Sequence, residues 1–319
     1  MKKYLVLLTL LLLLLPAHAH AHSYYTNEPA GSTTIAQCAF NDSTFCDAIL
    51  STVALNRWYN LYPSAETAFG TDAAEPGSTS GFLDFIHQYS GTCNNGGASL
   101  LPCAVGGGQV GYIDSAARRE MFGGFTFYIN SGYGCSLVGS SKVVLPRTLD
   151  NLQGYMQTNG VFNIRGCGAT KQLVWSHNSG NNDNSHICAL DLGLTCFPNV
   201  GPGTITEGAW AKIEFCIRSS SSSTARDGIV KWWVNGVLAG SYTTINYGNG
   251  NVNELVFNQT WDGGWNGQGF TQTVRQRIGD AYISASPNGG CLAAGGGSST
   301  PVDNPVGPPG TTTVTVTVQ

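Results

Sequence analysis

The clearest fold signal in this chain lies between Glu207 and Gly240, where the sequence reads EGAWAKIEFCIRSSSSSTARDGIVKWWVNGVLAG. From Trp210 to Arg218, apolar and polar residues alternate. The apolar set consists of Ala211, Ile213, Phe215 and Ile217. A period of two with β-branched and aromatic residues predicts a half-buried strand. The serine run that follows has no core-forming residue and predicts a solvated loop.

A second strand and a tight turn complete the stretch. The turn pair Asp227-Gly228 precedes an apolar run from Ile229 to Val234. Asn235-Gly236 then predicts a two-residue hairpin, because a type I′ turn needs positive φ at both central positions. Such a turn fixes the strand register. The predicted pairs are Val234 with Val237, Trp233 with Leu238, and Trp232 with Ala239.

These strings resemble the late strands of concanavalin-A-like jelly rolls, and more narrowly the polysaccharide-lyase-like branch that contains alginate, glucuronan and heparin lyases. The resemblance lies in Trp210-Ala-Lys-Ile-Glu-Phe, in Asp227-Gly-Ile-Val-Lys-Trp-Trp-Val-Asn-Gly236, and in Gly279-Asp-Ala-Tyr-Ile-Ser284 as a closing strand. Phe125 to Ile129 and Lys171 to Trp175 occupy the places of earlier core strands. We therefore expect an all-β, two-sheet antiparallel jelly-roll sandwich with a small N-terminal extension.

The first residues predict export. Lys2 and Lys3 precede an unbroken apolar run, and the small-residue pattern around Ala19 and Ala21 suits cleavage. Residues 1–21 are therefore expected to be a signal peptide, because the apolar run is shorter than the roughly 20 residues that a membrane span needs. We expect a secreted protein that does not insert into a membrane after this segment is removed.

Composition shifts divide the rest of the chain. We expect an N-terminal extension over 22–62, in which Thr44 to Trp58 suggests one helix. The jelly roll should cover 63–291. Residues 292–319 begin with a Gly/Ser/Pro-rich linker and end in alternating Thr and Val. This tail could pair with a surface or assembly partner through its strand edge.

Charge and cysteine usage narrow the function classes. The chain has 15 Lys and Arg against 19 Asp and Glu, a formal net charge of −4. This balance disfavours nucleic-acid binding, which relies on clustered basic residues. The 10 cysteines of an exported chain predict disulfides. Spacing suggests the short pairs Cys38–Cys46, Cys93–Cys103 and Cys188–Cys196, with two longer bridges among Cys135, Cys167, Cys216 and Cys291.

The resemblance implies β-elimination of a uronic-acid polymer as one function. That reaction needs a base, a proton donor for the leaving oxygen, and a cationic or amide group facing the substrate carboxylate. The candidate catalytic residues are His177, Lys171, Tyr128 and Tyr282. Arg165 and Lys231 are candidates for substrate binding in the same groove. Each also has an ordinary interpretation as a surface histidine, a solvated charge or a packed tyrosine.

Two other functions remain open. A non-catalytic carbohydrate-binding module would use exposed aromatic rings, for which Trp233, Trp261 and Trp265 are the candidates. A structural or adhesive surface protein would need no site at all. We expect no metal cofactor, although calcium is a further candidate through Asp183, Asp262 and Asp280. Polysaccharide is the expected partner.

Overall fold

The computed structural model describes the sheets and their short connections. The described residues are 24–40, 46, 55–60, 67–70, 81–89, 93–94, 100–101, 104–105, 109–134, 142–150, 155–158, 160–176, 196–197, 201–222, 224–247, 251–258 and 274–295. The regular elements among them are strands and one four-residue helix, so the predicted all-β class is confirmed.

In chain order the strands are β1 (Thr33–Cys38), β2 (Arg57–Asn60), β3 (Thr67–Gly70), β4 (Phe82–Tyr89), β5 (Cys93–Asn94), β6 (Leu100–Leu101), β7 (Ala104–Val105), β8 (Gln109–Arg118), β9 (Glu120–Ile129), β10 (Lys142–Asp150), β11 (Tyr155–Thr158), β12 (Val161–Arg165), β13 (Thr170–Ser176), β14 (Cys196–Phe197), β15 (Ile205–Thr206), β16 (Trp210–Arg218), β17 (Gly228–Val234), β18 (Val237–Ile245), β19 (Val252–Asn258) and β20 (Val274–Ala285). The helix α1 (Gly290–Ala293) follows them.

Two antiparallel sheets form the sandwich. The first has the order β18-β17-β16-β9-β20-β4-β3, with β1 on β20 and β7 on β4. The second has the order β14-β13-β12-β10-β19-β8-β2, with β11 on β10 and β15 on β13. Strands that are neighbours in sequence often belong to different sheets, as in a jelly roll. The strands β1 and β2, within the expected N-terminal extension, pair with opposite sheets.

Aromatic side chains fill the space between the sheets. Phe125 and Phe215 of the first sheet are fully buried, as is Phe162 of the second. The Phe162 ring lies 5.2 Å from that of Phe215 and 4.7 Å from that of Trp175. The predicted inward face of β16, from Ala211 to Ile217, belongs to this core. Burial of such large apolar side chains is the main stabilising term.

The hairpin prediction is confirmed at the turn and wrong at one pair. Val234 pairs with Val237 and Trp233 with Leu238. Trp232 pairs with Gly240 instead of Ala239, because a bulge lies between Trp232 and Trp233. A Cβ on Gly240 would lie 2.1 Å from the Trp232 ring, so only glycine accepts this bulky side chain.

The structure also tests the helix expected before Trp58 and the expected disulfides. The helix expected from Thr44 to Trp58 is wrong at its C-terminal end, because Trp58 lies in β2 and packs into the core. Trp58, which completed the expected helical stripe, is instead the core residue of this short strand. The Cys38–Cys46 disulfide is confirmed, and Cys216 is bridged to Cys291.

The two ends of the described chain cover the centre of the first sheet's outer face. Tyr25 stacks on Tyr282 at 5.5 Å, and the side chain of Asn27 donates to Glu214 at 2.9 Å. On the other side, the Cys216–Cys291 disulfide holds α1 against β16. We call residues 24–32 and 286–295 the terminal cover. On the outer face of the second sheet, a separate buried apolar cluster contains Tyr59, Ile113, Leu145, Val161 and Val256.

Candidate functional site

The outer face of the second sheet carries a charged network. Its members, Tyr59, Glu254 and Arg147, stand on β2, β19 and β10. Strand pairing brings them together, since Glu254 lies opposite Arg147 on one side and Ile113 of β8 on the other. Their side chains point away from the core because the neighbouring Trp58 and Leu255 point into it.

The network is fully hydrogen-bonded around the Glu254 carboxylate. Arg147 donates from Nε to Oε2 and from Nη2 to Oε1, the latter at 3.0 Å. The Tyr59 hydroxyl donates to Oε1. Exposed fractions are 0% for Tyr59 and Glu254 and 3% for Arg147. A bidentate Arg–carboxylate pair with a third donor is among the stronger polar arrangements in proteins.

Gly111 makes this geometry accessible to Tyr59. It lies on β8, between the strand of Tyr59 and that of Glu254, and pairs with Tyr59 directly. A Cβ on Gly111 would lie 2.5 Å from the Tyr59 hydroxyl oxygen and 2.9 Å from the Leu255 carbonyl oxygen. The tyrosine ring therefore crosses β8 over a position that only glycine leaves open.

Burial and charge determine the protonation of these groups. Burial first, and then the Glu254 charge, raise the pKa of Tyr59 well above its usual value. Burial alone would lower the pKa of Arg147, but hydrogen bonds and the charge of Glu254 raise it. At neutral pH Tyr59 is therefore a protonated donor and Arg147 a cation.

Other polar groups continue along this face on β12 and β13. The Asn163 side chain is buried and donates to the Ser176 hydroxyl at 2.6 Å and to the Val161 carbonyl at 3.0 Å. Two residues further along β12, Arg165 is half-buried and points the same way as Asn163. Gln172, which pairs with Arg165, is exposed.

Lys171, predicted to be catalytic, lies elsewhere. It shares a strand face with Leu173 and Trp175, as predicted, but those two residues point into the core. The Lys171 ammonium group is fully buried and donates to the Glu207 carboxylate at 2.8 Å. For Glu207, burial acts to raise the pKa, but the Lys171 hydrogen bond and the Gly132 backbone N–H lower it overall. The pair ties β13 to the turn before β16.

Four other predicted residues lie on the outer face of the first sheet: Tyr128, Tyr282, Lys231 and Trp233. Tyr282 is covered by Tyr25, and its hydroxyl donates to Glu28 at 2.9 Å. Burial raises its pKa to about 12. Lys231 donates to the Leu292 carbonyl oxygen at 2.6 Å, and burial lowers its pKa. Trp233 is 2% exposed, beneath Gly295 of the terminal cover.

The described candidates therefore do not line one groove. Arg165 lies on the outer face of the second sheet, Lys171 is directed between the sheets, and the other four occupy the first sheet. His177, Trp261 and Trp265 fall outside the described residues, as do Asp183 and Asp262. Alternation within a strand identified shared faces, but it does not reveal which faces of different strands meet.

Sequence reasoning missed the charged network. Glu254 and Arg147 interrupt the apolar runs of β19 and β10, which is a usable signal, because an unpaired charge inside a buried strand is costly. Their pairing needed knowledge of the sheet order. Tyr59 was not identified because the expected helix ran to Trp58, so the strand Arg57–Asn60 was not predicted.

Within the described ranges no three His, Cys, Asp or Glu residues come together as a metal site would require. Asp280 has a positive φ of 43° in the bulge of β20, and burial raises its pKa to about 6. No helix in the described part of the chain has the length and apolar character needed to cross a membrane.

Comparison with known proteins gives matches among solved structures alone. No protein-family model matches the chain, and no curated protein is similar to it in sequence. A glucuronan lyase from the fungus Trichoderma reesei is 13% identical, over 70% of this chain and 90% of that one, with a TM-score of 0.48. An alginate lyase from Chlorella virus is 12% identical, over 69% and 89%, with a TM-score of 0.48.

A further alginate lyase, solved with an alginate trisaccharide, is 12% identical, over 80% of this chain and 95% of that one, with a TM-score of 0.47. These are likenesses of fold. Function has to be argued from the residues of this chain.

Proposed function

We propose that this chain is an exported protein that binds a uronic-acid polysaccharide on the outer face of the second sheet and cleaves it by β-elimination. The observation that carries the proposal is the buried Tyr59–Glu254–Arg147 network on that face. Replacing a buried ion pair with apolar residues is often neutral or stabilising. The network is buried beside the apolar cluster of that face, and a charged group retained there is a candidate for chemistry as well as for structure.

The reaction removes the proton at C5 of a uronosyl residue, and the electron pair forms the C4–C5 double bond as the C4–O bond breaks. The leaving oxygen then takes up a proton. We assign this proton to Tyr59, whose hydroxyl is oriented by Glu254; because Tyr59 is 0% exposed, this role requires the face to open when the polymer binds. Arg147 balances the charge of Glu254. Arg165 faces the substrate carboxylate, and His177 remains the base predicted from the sequence.

Export is part of the proposal. It is supported by the N-terminal apolar run and by the disulfides, which persist in oxidising compartments. The activities of the glucuronan and alginate lyases suggest which polymers to test first. Polysaccharide binding without catalysis is the second candidate, and the same experiment separates the two.

The test is the ultraviolet absorbance of the unsaturated uronate product, followed with alginate, glucuronan and glycosaminoglycans. We expect a rise with at least one polymer, and its loss in Tyr59→Phe and Arg165→Gln. Arg226→Gln, which removes an exposed charge from the β16–β17 connection, should react like the wild type. A flat trace with every polymer would overturn the lyase assignment, and binding without cleavage would support the non-catalytic function.

A further inference from the structure

A second polar and aromatic row crosses the outer face of the first sheet beyond the terminal cover. Backbone pairing aligns Asp84 of β4 with Arg277 of β20, Arg277 with Tyr128 of β9, and Tyr128 with Trp210 of β16. All four side chains point outward, since Leu83, Phe127 and Ile278 next to them lie in the core. The row is separate from the charged network, which lies on the other sheet.

Three aromatic rings are in contact along this row. The Trp210 ring lies 5.4 Å from that of Tyr128 and 5.8 Å from that of Phe82. Trp210 and Tyr128 are half-buried, so part of each ring faces solvent. The Arg277 guanidinium group sits 4.6 Å from the Phe82 ring and 5.0 Å from the Tyr128 ring. These cation–π contacts fix its position.

The row has more positive than negative charge. Arg275 bonds to Asp84 at 2.5 Å, and Arg277 lies 3.6 Å from the same carboxylate oxygen. Two guanidinium groups thus share one carboxylate. The Arg275 side chain is 40% exposed and that of Arg277 21% exposed, whereas that of Asp84 is 7% exposed. In a chain of formal net charge −4, the accessible charge here is positive.

The indole of Trp210 supplies a further feature. Its Nε1 is buried, and within the described chain no acceptor bonds to it. Buried polar groups are nearly always hydrogen-bonded, so each exception calls for a reason. Because this atom has almost no accessible surface, a ligand hydroxyl or carboxylate would reach it only if the indole ring turned outward.

We propose that Trp210, Tyr128, Arg275 and Arg277 form a second glycan-binding site for an acidic polysaccharide. The exposed parts of the two rings would contact the apolar face of a sugar, and the guanidinium groups would pair with its carboxylate. Charge complementarity selects an acidic chain over a neutral one. The site binds without chemistry, so it does not depend on the lyase assignment.

The test is affinity electrophoresis of the full mature protein in gels that contain alginate, glucuronan or a neutral mannan. Arg275→Gln removes a partly exposed cation and its ion pair with Asp84, so the melting temperature is measured as well. Trp210→Phe keeps an aromatic ring but removes the N–H group. We expect the combined variant to bind the acidic polymers about tenfold more weakly, a change of about 1.4 kcal/mol. Arg226→Gln is the matched control for the loss of one surface charge.

The outcomes separate this site from the one on the second sheet. Weaker binding to the acidic polymers, with unchanged cleavage of short oligosaccharides, supports the proposal. If no polymer is cleaved but the variant still loses affinity, the second site stands and the lyase assignment falls. Wild-type affinity of the combined variant for the acidic polymers, at an unchanged melting temperature, would overturn the proposal. It would also be overturned if the neutral mannan retarded the wild type equally and the variant lost that retardation as well.

Discussion

Replacing Glu254 with Gln should destabilise the protein strongly while changing only one charge. Glu254 and Arg147 are 0% and 3% exposed, so the substitution removes the Glu254 charge from beside a buried guanidinium group. Breaking one side of a buried pair costs about 3–5 kcal/mol. Glutamine keeps an acceptor oxygen for Tyr59, which places the expected loss near the lower end, about 3 kcal/mol.

Thermal unfolding followed by circular dichroism measures this loss. At about 2–4 °C per kcal/mol for a domain of this size class, Glu254→Gln should lower Tm by about 6–12 °C. A Tm within about 2 °C of wild type would refute the reasoning, because it would mean that Arg147 is solvated or paired well without Glu254.

An apolar replacement of the whole network separates stability from function. The triple variant Tyr59→Phe, Arg147→Met and Glu254→Leu removes every member together, so none of the three leaves another of them without its partner. We expect its stability to return to within about 1 kcal/mol of wild type, since apolar substitutes for buried ion pairs are often tolerated. If the network serves catalysis, this stable variant should be inactive. An active triple variant would show that the network is structural.

Three other predictions follow from the geometry. Gly111→Ala should displace Tyr59 from Glu254 and abolish cleavage of uronate polymers, because its Cβ would lie 2.5 Å from the Tyr59 hydroxyl. Asp280→Asn should raise stability near pH 8 by about 1–2 kcal/mol after allowance for partial exposure, as measured by urea unfolding. The double variant Cys216→Ala and Cys291→Ala should lose about 4 kcal/mol in thermal unfolding, because the disulfide closes a loop of 75 residues.

Control substitutions test the predictions for Gly111→Ala and Asp280→Asn further. Gly124→Ala makes the same change on the first sheet, where its Cβ would lie 2.5 Å from the Tyr25 ring. It should lower stability but leave cleavage intact, and equal loss of activity in both alanine variants would argue against a site at Tyr59. Asn also tolerates the positive φ at position 280, so this replacement adds little strain.

The sign of the Asp280 effect follows from its raised pKa. Burial raises the pKa to about 6, so the folded protein binds the proton more tightly than the unfolded chain does. Wild-type stability should therefore fall as the pH rises from about 4 to 7. The neutral amide has no such dependence, so the advantage of Asp280→Asn should vanish near pH 4. An advantage that persists there would mean that charge is not its cause.

The sequence predicted local structure correctly where a residue pattern is compatible with one backbone conformation. The alternation in β16 and the Asn235-Gly236 turn fixed a hairpin because side-chain parity and turn geometry are properties of neighbouring residues. The bulge at Trp232 escaped because it depends on how a large ring meets Gly240.

The candidate site depends on contacts between distant strands. Tyr59 and Glu254 are 195 residues apart, and only the order β2-β8-β19-β10 brings them together. Lys171 and Tyr282 were sound choices by residue type, but the structure gives them buried partners in Glu207 and Glu28. Residue chemistry was therefore predictable, whereas its location on one of four sheet faces was not.

The central claim is that a uronic-acid chain lies on the outer face of the second sheet. A crystal structure of the Tyr59→Phe variant soaked with uronate oligosaccharides from the polymers above tests it most directly. We expect a sugar residue beside position 59, with its carboxylate bonded to Arg165. An oligosaccharide bound solely to the first sheet, with the outer face of the second sheet empty, would contradict it.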